Sequence, residues 1–153
     1  MSESAKGFLI PVEVKYIDST IGHGVFSSSF IKAGTLLWRP TLVKKYDRDE
    51  AREYMSKIDR DAAAVWLRQA FVIAEDSNFL CVNIDDEGRF VNHSSNPNTM
   101  YASDDEPSVA LKDILEGEEL TCNYGGLGCP EWYQSLCVEY NVLSTDEVTR
   151  LFK

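Results

Sequence analysis

Apolar positions in this chain recur in short bursts. Val12, Val14 and Tyr16 alternate with Glu13, Lys15 and Ile17, the period of two that a half-buried strand requires. Residues 18–24 carry two glycines and read as a loop, followed by the short apolar pair Val25-Phe26. Residues 35–38 form a further strand after a turn at Ala33-Gly34. From 47 to 59 the composition turns helical, with Asp47 placed as the N-cap, and 61–70 is an alanine-rich second helix around Val65, Trp66 and Leu67. The runs 71–74 and 79–84 flank Glu75-Asp76-Ser77-Asn78 and predict a hairpin. Met100-Tyr101 and 109–114 flank Asp104-Asp105-Glu106-Pro107 in the same way. Pro130 opens a helix at its first position, with Trp132, Tyr133, Leu136 and Tyr140 on related faces. Ser144, with Glu147 three residues on, is a capping box for a last short helix.

Many short strands and a few helices at irregular intervals define an α+β domain rather than an alternating βαβ chain. No G-x-G-x-x-G follows a strand, which disfavours a Rossmann-type nucleotide fold. There are no internal repeats, and 153 residues suit a single domain. The formal net charge of −10 argues against unaided nucleic-acid binding, which needs a basic patch. It suits a lysine-rich partner, although acidity also serves solubility alone. Residues 1–7 are polar with no signal-peptide core, and no run is apolar enough for a membrane span. The expectation is a soluble intracellular protein, with nuclear and cytoplasmic residence both open, and no membrane partner. Cys81, Cys122, Cys129 and Cys137 then read as free thiols, and their spacing indicates no metal site.

The chemistry concentrates in three places. Residues 22–26 read G-H-G-V-F, residues 89–98 read R-F-V-N-H-S-S-N-P-N, and residues 117–125 read G-E-E-L-T-C-N-Y-G. In that order they resemble the SET-domain family of protein lysine methyltransferases. The resemblance implies a SET-like fold of several short sheets with a pseudoknot, in which the N-H-S segment passes under a loop formed with the C-terminal motif. It covers roughly residues 12–132. It further implies a cleft for S-adenosylmethionine and, from the opposite face, a narrow channel for the substrate lysine. The whole chain, 1–153, is then one SET-like domain, with a variable insert at about 46–84 that carries substrate choice and a closing segment at 125–153.

By that resemblance Asn92 and His93 contact the cofactor, largely through the asparagine amide and backbone groups, with Phe90 beside them. Gly22 and Gly24 let backbone approach its methionine end, since glycine has no Cβ; His23 contributes its backbone. Tyr124, the last tyrosine of the third motif, is the catalytic residue. Methyl transfer needs a neutral lysine amine. An ordinary lysine of pKa ~10.4 is neutral in only about one molecule in 2500 at pH 7, a cost of roughly 4.6 kcal/mol. Burial and a nearby sulfonium both lower that pKa, so Tyr124 has only to orient the amine.

Trp132 and Tyr133 follow the third motif where the family's C-terminal segment closes the site. Trp132, ranked ahead of Tyr133, stacks on adenine, walls the lysine channel or packs in the core. Glu118 and Glu119 read as a turn and strand start, one solvated and one pairing locally. Asp85-Asp86-Glu87 reads as a solvated turn, or else as acid lining a groove for a basic peptide.

Two departures from the family agree with each other. Many members have cysteine where this chain has Ser95, together with a cysteine-rich tail that shares a zinc ion; that tail is absent here. The position of Cys122 is often Tyr or Phe in the family, so the number of methyl groups added stays open. Three functions remain in view: methylation of a protein lysine, histone being the family's usual substrate; a non-catalytic SET-like binding or scaffold module; and methylation of a small-molecule amine. Oligomeric state is not legible.

Overall fold

The computed structural model describes residues 7–39, 42–84, 86–100 and 107–152. Eleven short strands and four helices appear among them. The strands form four small sheets, so the backbone polar groups are satisfied locally and no single sheet spans the molecule.

The central sheet has the order β1-β2-β10-β7. Strand β1 (Val12–Asp18) pairs antiparallel with β2 (Gly22–Ser27), and Glu119 and Leu120 of β10 (Glu119–Cys122) pair antiparallel with Phe26 and Val25. Strand β7 (Asn92–His93) runs parallel to β10, Asn92 opposite Thr121 and His93 opposite Cys122. A three-stranded sheet has the order β3-β9-β8, from Leu36–Trp38, Ser108–Ala110 and Thr99–Met100. Strands β4 (Val43–Asp47) and β6 (Phe79–Asn83) make a pair, as do β5 (Val72–Ile73) and β11 (Leu127–Gly128).

The helices start where local chemistry places them. α1 (Arg48–Ser56) opens on a capping box, Asp47 accepting from the Glu50 amide at 2.8 Å while Glu50 accepts from the Asp47 amide at 3.1 Å. α2 (Arg60–Gln69) is capped by Asp59. α3 (Glu131–Glu139) has Pro130 as its N-cap, one residue outside the expected first helical position. α4 (Thr145–Leu151) carries the expected Ser144–Glu147 box.

Several elements differ from the sequence reading. Gly22, His23 and Gly24 lie on strand β2, not in a loop, because they pair with Asp18, Tyr16 and Lys15 across the β1 turn. Alternation in β1 breaks at its end: Tyr16 is exposed and Ile17 half-buried, beside a bulge between Tyr16 and Asp18. The hairpin expected from 71–84 shrinks to one bridge, Phe71 to Cys81. Strand β6 finds a longer partner in β4, a strand the sequence reading missed, and Ala74–Asp76 winds into a 3-10 turn. The second hairpin pairs Thr99 with Ala110 and Met100 with Val109; Tyr101 and its loop at 104–106 lie outside the described residues, as do 1–6 and Asp85.

Two apolar clusters form the core. One gathers Met55, Leu67, Leu80, Tyr133 and Leu136 between the helices and β6; the other gathers Val25, Ile31, Leu37, Ile114 and Leu120 around the sheets. A cavity lies between them, walled by Leu37, Trp38 and Leu120 from one and by Ala70 and Tyr133 from the other. Among the described residues no helix is long and apolar enough to cross a membrane.

Candidate active site

The second and third motifs meet as neighbouring strands. Buried Asn98 acts as a surrogate strand for β10: its Nδ2 donates to the Glu119 carbonyl at 2.8 Å, and its Oδ1 accepts from the Thr121 amide at 2.9 Å. The Thr99 hydroxyl donates to the Thr121 carbonyl at 2.7 Å, and the Ser94 amide to the Cys122 carbonyl at 2.9 Å. Every one of these bonds satisfies a backbone group that a two-residue strand would leave open. The interlock holds Asn92, His93 and Tyr124 against one another.

His93 Nδ1 accepts the Tyr124 amide at 3.0 Å, which places the neutral ring's proton on Nε2. That Nε2 is buried without a hydrogen-bond partner, and His93 lines the cavity. Burial lowers the His93 pKa below its ordinary value and favours the neutral ring. Tyr124 follows β10 in a 3-10 turn (Tyr124–Gly126), half-buried, with its ring 5.3 Å from the imidazole. Its hydroxyl donates to the Val91 carbonyl. With that proton engaged, what the phenol oxygen offers a ligand is acceptor capacity.

Asn92 divides its amide donors, Nδ2 reaching the His23 carbonyl at 2.9 Å and Glu119 Oε2 at 2.8 Å. Glu119 therefore does not pair locally: it ties β10 to β7 across the cavity wall. Glu118 is the local one, accepting from the Leu115 amide at 3.0 Å. Gly24 is required by this arrangement. A Cβ there would stand 2.6 Å from Glu119 Oε2, 2.7 Å from Ile17 and 3.1 Å from Asn92 Nδ2. Gly22 has φ +84°, where a side chain is strained.

Of the residues singled out in the sequence, Asn92, His93, Tyr124 and Cys122 line the cavity. Gly22, His23 and Gly24 form the strand behind it, with the exposed His23 ring against Phe90 at 5.3 Å. Trp132 lies elsewhere. Its indole donates to the Ser77 carbonyl at 2.9 Å beside Asp47, Arg48 and Asn78, and its neighbour Tyr133 faces the cavity instead. One helical position is a rotation of about 100°, enough to exchange the two roles. Tyr133 is buried, its hydroxyl 3.2 Å from Thr145 Oγ1, and burial pushes its pKa well up. Asp86 is likewise not a solvated acid: it is buried, accepting from Trp38 Nε1 at 3.0 Å and from the Gly88 amide at 2.8 Å. Sequence reasoning missed Arg68, Gln69 and Asn83, all cavity-lining and all in the insert. The Oδ1 of Asn83 is buried without a partner.

The donor set fits S-adenosylmethionine. The cavity presents an orphaned imidazole N–H, an orphaned amide oxygen and a carboxylate suited to a cationic ligand. Burial holds the Cys122 thiol neutral, its pKa pushed up to about 12, so this cysteine occupies space without acting as a nucleophile. No group of three or more metal-ligating side chains comes together among the described residues.

Fold and cavity together bring Asn92, His93 and Tyr124 of the second and third motifs to one wall. The family model for the SET domain matches residues 22–125, and the chain belongs to the SET-domain family. Solved structures carry the same fold. A crystal structure of an active polycomb repressive complex 2 in the stimulated state matches at TM-score 0.54 and 25% identity, over 76% of this chain and 15% of that one. ctPRC2 in an autoinhibited conformation bound to S-adenosylmethionine matches at TM-score 0.53 and 23% identity, over 91% and 17%. Chaetomium thermophilum Polycomb Repressive Complex 2 bound to GSK126 matches at TM-score 0.52 and 23% identity, over 90% and 18%. This chain thus spans less than a fifth of the length of each. No curated protein gives a significant match.

Proposed function

We propose that this domain transfers the methyl group of S-adenosylmethionine to the side-chain amine of a lysine in a protein substrate. The observation that carries the reading is the placement of the Tyr124 hydroxyl. It donates to the Val91 carbonyl at the cavity wall, so an entering amine meets an oxygen that accepts an N–H. Accepting that N–H turns the nitrogen lone pair away from the phenol and toward the methyl donor. The bound cofactor supplies an electrophilic methyl on a sulfonium, and the protein's own part is to orient and desolvate.

Asn92 and His93 hold the cofactor side, the His93 Nε2–H being the donor left without a protein partner. The largely apolar wall of Leu37, Phe71, Val91 and Leu120 lowers the pKa of an entering ammonium. The amine loses its proton toward solvent before transfer, and no strong base is needed. Cys122 is smaller than the Tyr or Phe common at its position and leaves room around the lysine nitrogen. The insert at 46–84 carries substrate choice, and an acidic chain suits a basic peptide, histone tails among them.

Isothermal titration with S-adenosylmethionine and with S-adenosylhomocysteine tests the cofactor half of this reading. The expected result is saturable one-to-one binding of both. Binding of neither, even with a lysine peptide present, would replace it with a non-catalytic SET-like module.

A further inference from the structure

Four neighbouring segments each turn an apolar side chain away from the core. Phe8 bridges Trp38 beside β3, and the Leu9 amide donates to the Leu37 carbonyl at 2.8 Å. Leu36 of β3 stands opposite Val109 of β9, and Met100 of β8 stands opposite Val109 from the other side. Partners across an antiparallel pair share a face. That face is the outer one. Phe8, Leu37 and Ala110, each one step along from Leu9, Leu36 and Val109, are buried in the core, and successive side chains alternate. Leu111 lies outside the core on the far side of Ala110. The same ribbon carries a second pair. Ile31 and Ile114 bridge each other inside the core, and Phe30 and Leu115, one step from that bridge, stand outside it. Leu9, Phe30, Leu36, Met100, Leu111 and Leu115 are 46–63% exposed.

We infer that this outer face of the β3-β9-β8 sheet is the contact surface of a symmetric dimer, covered by the same face of a second copy of the chain. Half-exposed side chains of this size each leave on the order of 100 Å² in water, so together they present roughly 600 Å² of apolar surface. That is as much as the largest patch on an ordinary monomer, about 300–600 Å². It is also most of the about 800 Å² that each partner contributes to a stable interface, before any polar rim is added.

Shape and charge favour a second copy over another occupant. A sheet face packs best on another sheet face, about 10 Å away, and this chain itself supplies such a face. A twofold axis through it sets each copy's apolar row against the other's. Exposed Lys32, Lys112 and Glu116 lie within two residues of Phe30, Leu111 and Leu115. Charges of both signs at the border let lysine of one copy meet glutamate of the other. The same lysines disfavour a basic peptide here. The formal charge of −10 on each copy opposes association through solvent, and salt screens that repulsion. Leu37, Thr99, Met100 and Ser108 of this sheet also line the cavity, so pairing places a second layer behind one wall of the site.

The test is sedimentation equilibrium of the full chain from about 1 to 200 μM, concentrations that bracket the dissociation constant of a modest interface. The unaltered protein should reach twice the chain mass within that range, and the dimer should tighten as salt rises from about 0.05 to 0.5 M. Leu36→Glu and Leu115→Glu, at opposite ends of the row, should each weaken the dimer by at least about tenfold. Val138→Glu, an exposed apolar position on α3 away from this face, should change it by less than about twofold. Leu36 and Leu115 are 50% and 63% exposed, so either variant serves alone if the other fails to fold, and circular dichroism reports folding. A chain that stays monomeric throughout would overturn the inference, as would a dimer that survives both substitutions. So would a monomer that binds a lysine-rich peptide and loses it in Leu36→Glu, since the face would then belong to the substrate.

Discussion

His93 couples protonation to the position of Tyr124. Its Nδ1 can accept the Tyr124 amide only while that nitrogen is unprotonated. Burial lowers its folded-state pKa below the ordinary 6.5, so between the two values the unfolded chain binds the proton that the folded one refuses. Stability from this site is therefore complete above pH 6.5, declines as pH falls below it, and is gone once pH has passed the folded pKa. Melting curves from pH 7.5 to 5 should show a steeper fall for the natural protein than for His93→Gln, whose amide does not titrate. Parallel curves would remove His93 from the account. At this scale the sequence was legible wherever a motif names a residue that acts through its own neighbours: Asn92, His93 and Tyr124 all reach the cavity. It was illegible where the partner is distant. Asp86 was read as solvated because its partner, Trp38, lies 48 positions earlier in the chain. Glu118 and Glu119 were read as one solvated and one pairing locally, which gave no hint that Glu119 reaches Asn92, and Trp132 was ranked above Tyr133 because composition cannot say which side of α3 meets the cavity.

Among the elements, those set by contacts within one turn were legible. The boxes at Asp47 and Ser144 each span four residues, and both helices start there. Strand pairing was not, since apolar runs at 71–74 and 79–84 look like partners until β4 supplies five matched residues for β6. Lys44 and Lys45, exposed between half-buried Val43 and buried Tyr46, hid that strand from a search for strict alternation. The parallel pairing of β7 with β10 is only two residues long, so its strength lies in side chains. Asn98→Ala would strip the part-buried Glu119 carbonyl and Thr121 amide of these partners. At about 1–3 kcal/mol for each orphaned group, the loss should reach about 2–6 kcal/mol in urea unfolding, with an unchanged m-value. A loss under about 0.5 kcal/mol would show that the interlock does not depend on Asn98.

In the whole molecule the site is a meeting place. One wall comes from the sheets and the motifs, the other from α2, α3, α4 and the turn after β10, and the cavity lies where their two apolar clusters face each other. The motif-bearing half could be read from the sequence because short segments carry it. The helical half could not, because Arg68, Gln69 and Tyr133 enter the cavity only through the packing of helices whose mutual positions no local pattern encodes. The account as a whole stands on Tyr124 directing an amine toward a methyl donor. It is tested most directly by incubating the natural protein and Tyr124→Phe with methyl-labelled S-adenosylmethionine and a lysine-rich protein mixture including histones. Methyl-lysine would then be read by mass spectrometry, and cofactor binding by titration. The prediction is methyl-lysine from the natural protein, a loss of at least about 100-fold in Tyr124→Phe, and cofactor affinity within about threefold in both. Undiminished methylation by Tyr124→Phe, or no methyl-lysine from a natural protein that binds the cofactor and is offered its substrate, would contradict it.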